Sequence, residues 1–449
     1  MLLRSSINYE RHLKDKLLEL SAYVNVDSSC KIDPSFLREY YYKFYAQTLV
    51  YNFYVEKQDN FVEYVDSLSK EYLHSFKVPT SFVSAVLSQV FDDAKKLNLQ
   101  NEVVPLGDVH YKGGTKYLNN KKISFHNYPN YDTLVRTIAD IVNVIPVSCL
   151  PLQNNESGAL SREFIDVNNV TDDEKKVEEY FYNLGVVIPF LLLLRAIDVY
   201  AENILVNLPY PVLFDLECIF TGVHEKDPNY SLFHTGIIKV PENNDVSALT
   251  GGMEQIYSYL HPSLHNENGL PKIKWKIKSD LKADNLVLLR GNYVDVTKYI
   301  DILLKGFDCS SNQISKRMAD VRKAVLEIPT YIRYIHRPTY IYSSRIQHYL
   351  FPNVYETQDS IKFMREGLQS HSPMFAVTES EGILNYESES MSKGMVPVFY
   401  NEIHSNDVFN SNGDLITKNK VKPVDVWLSH ITNIEEFFYK QRKILRDSI

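Results

Sequence analysis

Asp198, Asn203 and Asp215 stand at spacings that could hold a divalent cation and orient a reacting hydroxyl. The segment IDVYAENILV (197–206) places Asp198 five residues before Asn203, and PVLFDLE (211–217) places Asp215 twelve residues further on. Hard cations such as Mg²⁺ take oxygen ligands and few of them from protein, so one amide and one carboxylate suffice. A further carboxylate beside them can orient an attacking hydroxyl and accept its proton. An Asp-x4-Asn alone marks no more than a polar loop. This one lies between the apolar runs LGVVIPFLLLL (184–194) and PVLF (211–214), where an unpartnered carboxylate would be costly to bury.

The elements that must position these residues are legible around them. TDDEKKVEEYFYNLGVVIPFLLLLRAI (171–197) predicts a long helix with Thr171 as N-cap, acids in its first turn, and Pro189 as a kink or as the true start. ILVNLPYPVLFDLECIF (204–220) predicts a hairpin turning at NLPYP. Helix, Asp-x4-Asn, strand, turn, strand, Asp is the layout of a protein-kinase catalytic loop and metal site. Upstream, GDVHYKGGTKYL (107–118) predicts a turn at Gly113 and Gly114 between strands, suited to covering phosphates with backbone N–H groups. Asp108 and His110 would project from it into the same cleft, an acid and a base that a nucleotide-covering loop does not itself require.

Elsewhere, residues 1–100 carry helical periodicity and 101–150 read as short strands followed by a helix in YDTLVRTIADIV (131–142). The stretch 151–172 is expected as loop, and 221–275 as irregular, including HPSLHNENG (261–269). His261 and His265 there lack the glutamate of a metal-binding helix. NLVLLRGNYVDV (285–296) reads as strand, 296–328 as helix, and IEEFFYKQRKIL (434–445) as a closing helix. The Tyr-rich EYYYKFYAQTLVYNFYV (39–55) fits a helical core better than a peptide groove. Cys149 and Cys218 fit core thiols. Arg337 and Arg345 fit equally an exposed cationic surface and a phosphate-binding patch around Arg333.

A formal net charge of −8 argues against a nucleic-acid partner, which requires a basic face. The four cysteines form no CxxC pair, as expected of reduced cytosolic thiols. The longest apolar run, 184–194, falls short of the ~18 residues a membrane span needs. The N-terminus has no signal-peptide core. A cytoplasmic protein is expected.

Taken in order, GDVH (107–110) with its following glycines, IDVYAEN (197–203), PVLFDLE (211–217) and RYIHRPT (333–339) resemble the dehydratase domain of class II lanthipeptide synthetases. The family's patterns run GDxHxxG, TDLHxEN, PvliDLE and RxxxRxT. MVPVFY (395–400) is similar to its IPxF segment, and the resemblance spans residues 101–449. It implies a kinase-like fold that phosphorylates Ser and Thr of a ribosomally made precursor peptide with ATP and Mg²⁺, then eliminates phosphate to leave dehydroalanine or dehydrobutyrine. On that resemblance Asp198 serves the attacking hydroxyl, and Asn203 and Asp215 hold Mg²⁺. Glu217 matches the DLE glutamate on the nucleotide side, Asp108 and His110 match elimination residues, and Arg333 and Thr339 match the pair that handles the phosphorylated intermediate. Two positions depart from the family: Tyr200 replaces the TDLH histidine, and His126 falls where a nucleotide-binding lysine stands.

The expectation is therefore an α+β, kinase-like bilobal chain. It has a helical region over 1–100, a small strand-containing lobe over 101–170, and a larger, mainly helical lobe over 171–449. The expected activity is ATP- and Mg²⁺-dependent peptide dehydration. The alternatives are a peptide kinase without elimination and an inactive peptide-binding scaffold. The zinc-dependent cyclase domain of those synthetases has no Cys/His counterpart in this sequence. Ring closure would then fall to a separate cyclase or partner synthetase subunit.

Overall fold

The computed structural model describes residues 8–21, 30–97, 99, 101–106, 116–119, 122–125, 130–144, 153–154, 160–163, 165–213, 216–222, 229–241, 245, 247–251, 260–277, 283–373 and 380–449. The N-terminal part is helical, as its periodicity predicts. It contains α1 (Tyr9–Ser21), a short strand β1 (Cys30–Ile32), α2 (Pro34–Val55), α3 (Phe61–Asp66), α4 (Lys70–Ser75) and α5 (Lys77–Lys96). Asp33 caps α2 by accepting from the Phe36 N–H at 2.9 Å, and Pro34 fills a first-turn position that needs no donor. The tyrosine stripe runs along α2: Tyr40, Tyr41, Tyr42, Phe44 and Tyr45 are all buried, as a core helix requires.

Next come β2 (Asn101–Leu106), β3 (Lys116–Asn119), β4 (Lys122–Phe125), α6 (Tyr131–Val142), β5 (Gln153–Asn154), β6 (Leu160–Glu163) and β7 (Val170–Thr171). Strands one to six form a sheet in the order β1-β2-β3-β4-β6-β5, with β1 parallel to β2 and the other pairs antiparallel. The loop expected over 151–172 thus contributes three strands. Each is two to four residues long, too short to show a period of two in sequence.

The long helix is α7 (Glu174–Leu193), with Pro189 inside it. Its N-cap is Asp173, which accepts from the Lys175 N–H at 3.0 Å. Thr171, the expected cap, instead accepts from the Asp173 N–H at 3.1 Å and closes β7. The hairpin follows as β8 (Ile204–Asn207) and β9 (Tyr210–Leu213), and then α8 (Leu232–Thr235).

Residues 260–277, expected to be irregular, form the hairpin β10 (Leu260–Glu267) and β11 (Leu270–Ile277), paired residue for residue. Asn268 and Gly269 have φ of 57° and 87°, the two left-handed positions of a tight hairpin turn. Pro262 masks this signal in sequence; it is tolerated because β10 pairs on one side only. The chain continues with β12 (Leu288–Leu289), β13 (Asn292–Tyr293), α9 (Ile300–Glu327), β14 (Tyr331–Tyr334), α10 (Thr339–Tyr349), α11 (Pro352–Tyr355), α12 (Ser360–Gln369) and α13 (Glu381–Met391). It ends with β15 (Phe399–Glu402), β16 (Asp407–Asn410), β17 (Leu415–Lys418), α14 (Pro423–His430) and α15 (Ile434–Asp447). β14 to β17 form an antiparallel sheet in sequence order, and β12 joins β7 in parallel. The result is an α+β fold of helices with separate small sheets. No helix among the described residues is long and apolar enough to cross a membrane.

Two large apolar cores organise these elements. One gathers α6, α7, β8, β9, α9 and the C-terminal helices. The other joins α1, α2 and α5 to α10, α12 and α13, so the first hundred residues share a core with the segment after β14. Polar contacts reinforce that union: Gln47 donates to the Gln347 side chain at 2.8 Å, Thr48 to the Leu350 carbonyl at 3.3 Å, and Tyr9 to the Gly269 carbonyl at 2.8 Å.

Within the first core α7 and α9 touch backbone to backbone. A Cβ at Gly185 would overlap the Leu303 carbonyl oxygen, and one at Gly306 would overlap that of Tyr182. At an exposed helical site Gly→Ala gains up to about 1 kcal/mol. Here the sign reverses, because the added carbon meets main chain that cannot rotate away. Gly185→Ala and Gly306→Ala should each lower stability by about 1–3 kcal/mol, read as a reduced urea midpoint at unchanged slope.

Candidate active site

The carbonyl end of α7 sets the geometry of the Asp198 loop. A buried helix end leaves its last carbonyls without helical partners, and each needs a donor. The Phe190 and Leu191 carbonyls accept from the N–H groups of Leu194 (3.1 Å) and Ala196 (3.0 Å), and that of Leu192 from Arg195 (3.2 Å). His430 Nε2 also donates to the Leu192 carbonyl at 3.1 Å, Trp427 Nε1 donates to that of Leu193 at 2.8 Å, and the Phe220 N–H donates to that of Leu194 at 2.7 Å. The helix α14 and the segment 218–222 thereby close the helix end.

The same segment grips the loop itself. Arg195, with φ of 51°, donates through Nε to the Thr221 carbonyl at 3.0 Å, and the Thr221 hydroxyl donates back to the Arg195 carbonyl at 2.9 Å. Its guanidinium lies 4.6 Å from the centre of the Tyr230 ring, whose hydroxyl donates to the Ala196 carbonyl at 2.7 Å. Ile197 N–H donates to the Cys218 carbonyl at 2.9 Å and Val199 N–H to the Thr235 carbonyl at 2.8 Å. Cys218 is buried, as expected of a core thiol.

Asp198 stands between those two anchored residues with φ of 67°, a left-handed conformation that Asp tolerates better than most residues. Ile197 and Val199 are buried, while Asp198 is only partly so. The Asn203 side-chain amide donates to the Asp198 carbonyl at 2.7 Å. Its donor end is thus committed to the loop, and the amide oxygen remains as the hard ligand a cation would take.

Tyr200 is bridged to Ser247 across the loop, and a Cβ at Gly236 would come within 2.9 Å of its ring. Burial raises its phenol above the ordinary value, and the charges of Asp198 and Glu202 raise it further. Tyr200 therefore stays protonated and adds no charge to the loop.

Glu217 and Arg333 come together where the segment after β9 meets β14: Arg333 N–H donates to the Glu217 carbonyl at 3.0 Å. Burial pulls the Arg333 guanidinium down, yet the Glu217 carboxylate and then Tyr400 hold it above its usual value. Tyr400 faces it in the β14–β15 register, with the ring centre 6.0 Å away. Arg333 and Ile197 line one cleft, which is otherwise largely apolar through Phe220, Ile332, Val421 and Val426. The loop and Arg333 therefore border the same space.

Thr339 is the first residue of α10, half-buried, after Pro338. Arg337 and Arg345 are neither surface cations nor a phosphate patch. Arg337 is fully buried and pairs with Glu387 at 3.2 Å, whereas Arg345 lies 3.5 Å from the centre of the Phe363 ring and donates to the Phe363 carbonyl. Asp108, His110, Gly113, Gly114, His126 and Asp215 lie outside the described residues, as does Cys149. Sequence reading missed Tyr400, Tyr230 and Arg195 as supports of the site. Nothing in their spacing marks them, because each reaches the loop through tertiary packing.

A family described as a domain of unknown function (DUF4135) matches residues 153–402, more than half of the chain, and the protein belongs to that family. The match takes in Asp198, Asn203, Asp215, Glu217, Arg333 and Thr339, and begins beyond Asp108, His110 and His126. No curated protein matches the chain.

Two buried histidines give the fold a pH dependence with a definite sign. Burial and the nearby Arg195 pull His430 down to about 4, against its bond to the Leu192 carbonyl, and burial and Arg337 pull His336 down to about 3. Both stay neutral in the fold while the unfolded chain titrates near 6.5. Their stabilisation is complete above that value and is lost as pH falls towards 4, at about 1.4 kcal/mol per pH unit for each. Glu387 opposes this in part, since burial lifts it to about 7 and folding then favours its protonated form between 4.5 and that value. Urea titrations should show stability falling between pH 6.5 and 5, with the slope reduced in His430→Gln.

Proposed function

We propose that this chain is a kinase-like, ATP- and Mg²⁺-dependent dehydratase of Ser and Thr in a ribosomally made peptide, of the kind found in class II lanthipeptide synthetases. The observation that carries the reading is the Asp198 loop. A partly exposed carboxylate is held in a left-handed turn between two anchored residues, with Asn203 bound to its own carbonyl. That is the positioning a phosphoryl transfer to a hydroxyl needs, since such reactions depend on placement and electrostatics more than on covalent chemistry. Arg333 lines the cleft that Ile197 of the loop borders, and the Glu217 charge acting on it supports a site that manages phosphate charge.

In this reading Asp198 orients the Ser or Thr hydroxyl and takes its proton as the oxygen bonds the γ-phosphorus of ATP and the bond to the β-phosphate breaks, releasing ADP. Asn203, together with Asp215, would hold Mg²⁺, which supplies charge neutralisation on the nucleotide phosphates. Elimination then removes the α-proton, its electron pair becomes the Cα=Cβ double bond, and the Cβ–O bond breaks to release phosphate. Arg333 would bind the departing phosphate through paired donors, with Thr339 as its partner in handling the phosphorylated intermediate. On the resemblance, Asp108 and His110 would be the proton-handling pair, His126 would meet the nucleotide phosphates, and Gly113 and Gly114 would belong to the loop that covers them. A cyclase or partner subunit would complete ring formation.

The test is the intact mass of a Ser/Thr/Cys-rich precursor peptide after incubation with the protein, ATP and Mg²⁺. A loss of about 18 Da per site, absent in Asp198→Asn, is the expected result. A gain of about 80 Da per site would replace this reading with a peptide kinase. An unchanged peptide that nevertheless binds would replace it with a scaffold, as Tyr200 and His126 at departing positions would then explain.

A further inference from the structure

The segment from Arg333 to Tyr342 leaves β14 in one apolar core and enters α10 in the other. At the crossing the fold buries a charge pair. Arg337 and Glu387 have side chains with 0% exposure each, and Arg337 Nη1 donates to Glu387 Oε1 at 3.2 Å. The Tyr342 hydroxyl donates to the same oxygen at 2.7 Å. Arg337 lies two residues before Thr339 and Tyr342 three residues after it, so one carboxylate oxygen holds both flanks of that threonine.

The cost of this arrangement gives it meaning. A buried ion pair is rarely a net stabiliser, because desolvation cancels most of the attraction, and apolar residues of similar volume often serve as well. Glu387 occupies the apolar face of α13 between Leu384 and Met391, where a leucine would fit the helical spacing. What a leucine could not do is fix the turn RPT (337–339) in one place. Around it the Ile341 N–H donates to the Pro338 carbonyl at 3.0 Å, closing the first turn of α10. Arg333 lies in β14 only four residues before Arg337, so the clamp fixes the far end of the short segment that carries both Arg333 and Thr339.

Resting on the dehydratase reading, we propose that Glu387 is a positioning residue for phosphate elimination, fixing the segment that carries Arg333 and Thr339 through Arg337 and Tyr342. It touches no reacting atom and is not required for the phosphoryl transfer made at the Asp198 loop. Tyr342→Phe removes one arm of the clamp and keeps the ion pair, while Glu387→Gln keeps the shape and removes the charge. The two steps are separable with the full chain, using a Ser-containing precursor peptide with ATP and Mg²⁺ for transfer and its synthetic phosphoserine form for elimination.

In both variants elimination should fall about ten-fold or more while phosphorylation changes less than about two-fold, so that the phosphorylated peptide accumulates. Thermal midpoints measured alongside exclude unfolding as the cause, since unfolding lowers both steps together. Parallel loss of both steps, or elimination at the wild-type rate in Tyr342→Phe and Glu387→Gln, would overturn the proposal. A wild-type chain that phosphorylates but never eliminates also overturns it, leaving the kinase reading. One that does neither removes the dehydratase reading itself, and the clamp's role with it.

Discussion

A helix end packed inside a protein has to find donors for its last carbonyls, and α7 finds them in elements distant in sequence. Trp427 and His430 arrive from α14, and Phe220 from the segment that follows Glu217. Each bond removes a desolvation cost of about 1–3 kcal/mol. Together they turn the helix end into a rigid mount. The two left-handed residues of the loop, Arg195 and Asp198, are affordable only in such a setting. Backbone strain of this kind persists where the surroundings over-determine it. The close α7–α9 contact at Gly185 and Gly306 fixes the middle of the same helix.

The second core changes how the N-terminal helices are understood. They are not an appendage, since α2 packs with α10 and shares the buried Gln47–Gln347 bond with it. α10 begins at Thr339, and β14, a few residues earlier, carries Arg333. Anything that loosens the N-terminal helices therefore acts on the geometry of the RPT turn. Coupling of that kind follows from close packing, which transmits a displacement instead of absorbing it.

Much of the Asp198 loop was legible because its chemistry is local: a long apolar helix, a polar loop and a hairpin follow one another without interruption. The structure places Asp198 and Asn203 in contact as the spacing suggests. What sequence could not supply was longer-range. Arg337 and Arg345 look alike as exposed cations, and only the fold shows one against Glu387 and the other on Phe363. The β10–β11 hairpin carried its Asn268-Gly269 signal in plain view, but Pro262 pointed the other way and pairing on a single side let it stand. The two-residue strands of 151–172 could not be read at all, since a period of two needs more residues than they have.

The electrostatics of the Arg333 side of the cleft suit a charge that comes and goes. Arg333 stays cationic beside Glu217, and among the described residues none accepts a hydrogen bond from its guanidinium. In the proposed reaction its donors would meet phosphate oxygens, while the neighbouring Glu217 carboxylate balances its charge. In the proposed reaction the peptide gains two negative charges at one step and loses them at the next. A guanidinium tied tightly to a carboxylate could not answer that change, and one left alone in an apolar cleft would be costly. Attraction without a committed bond is the compromise between them. It explains why this arginine differs from Arg337 a few residues on, whose bonds are made and whose position is fixed.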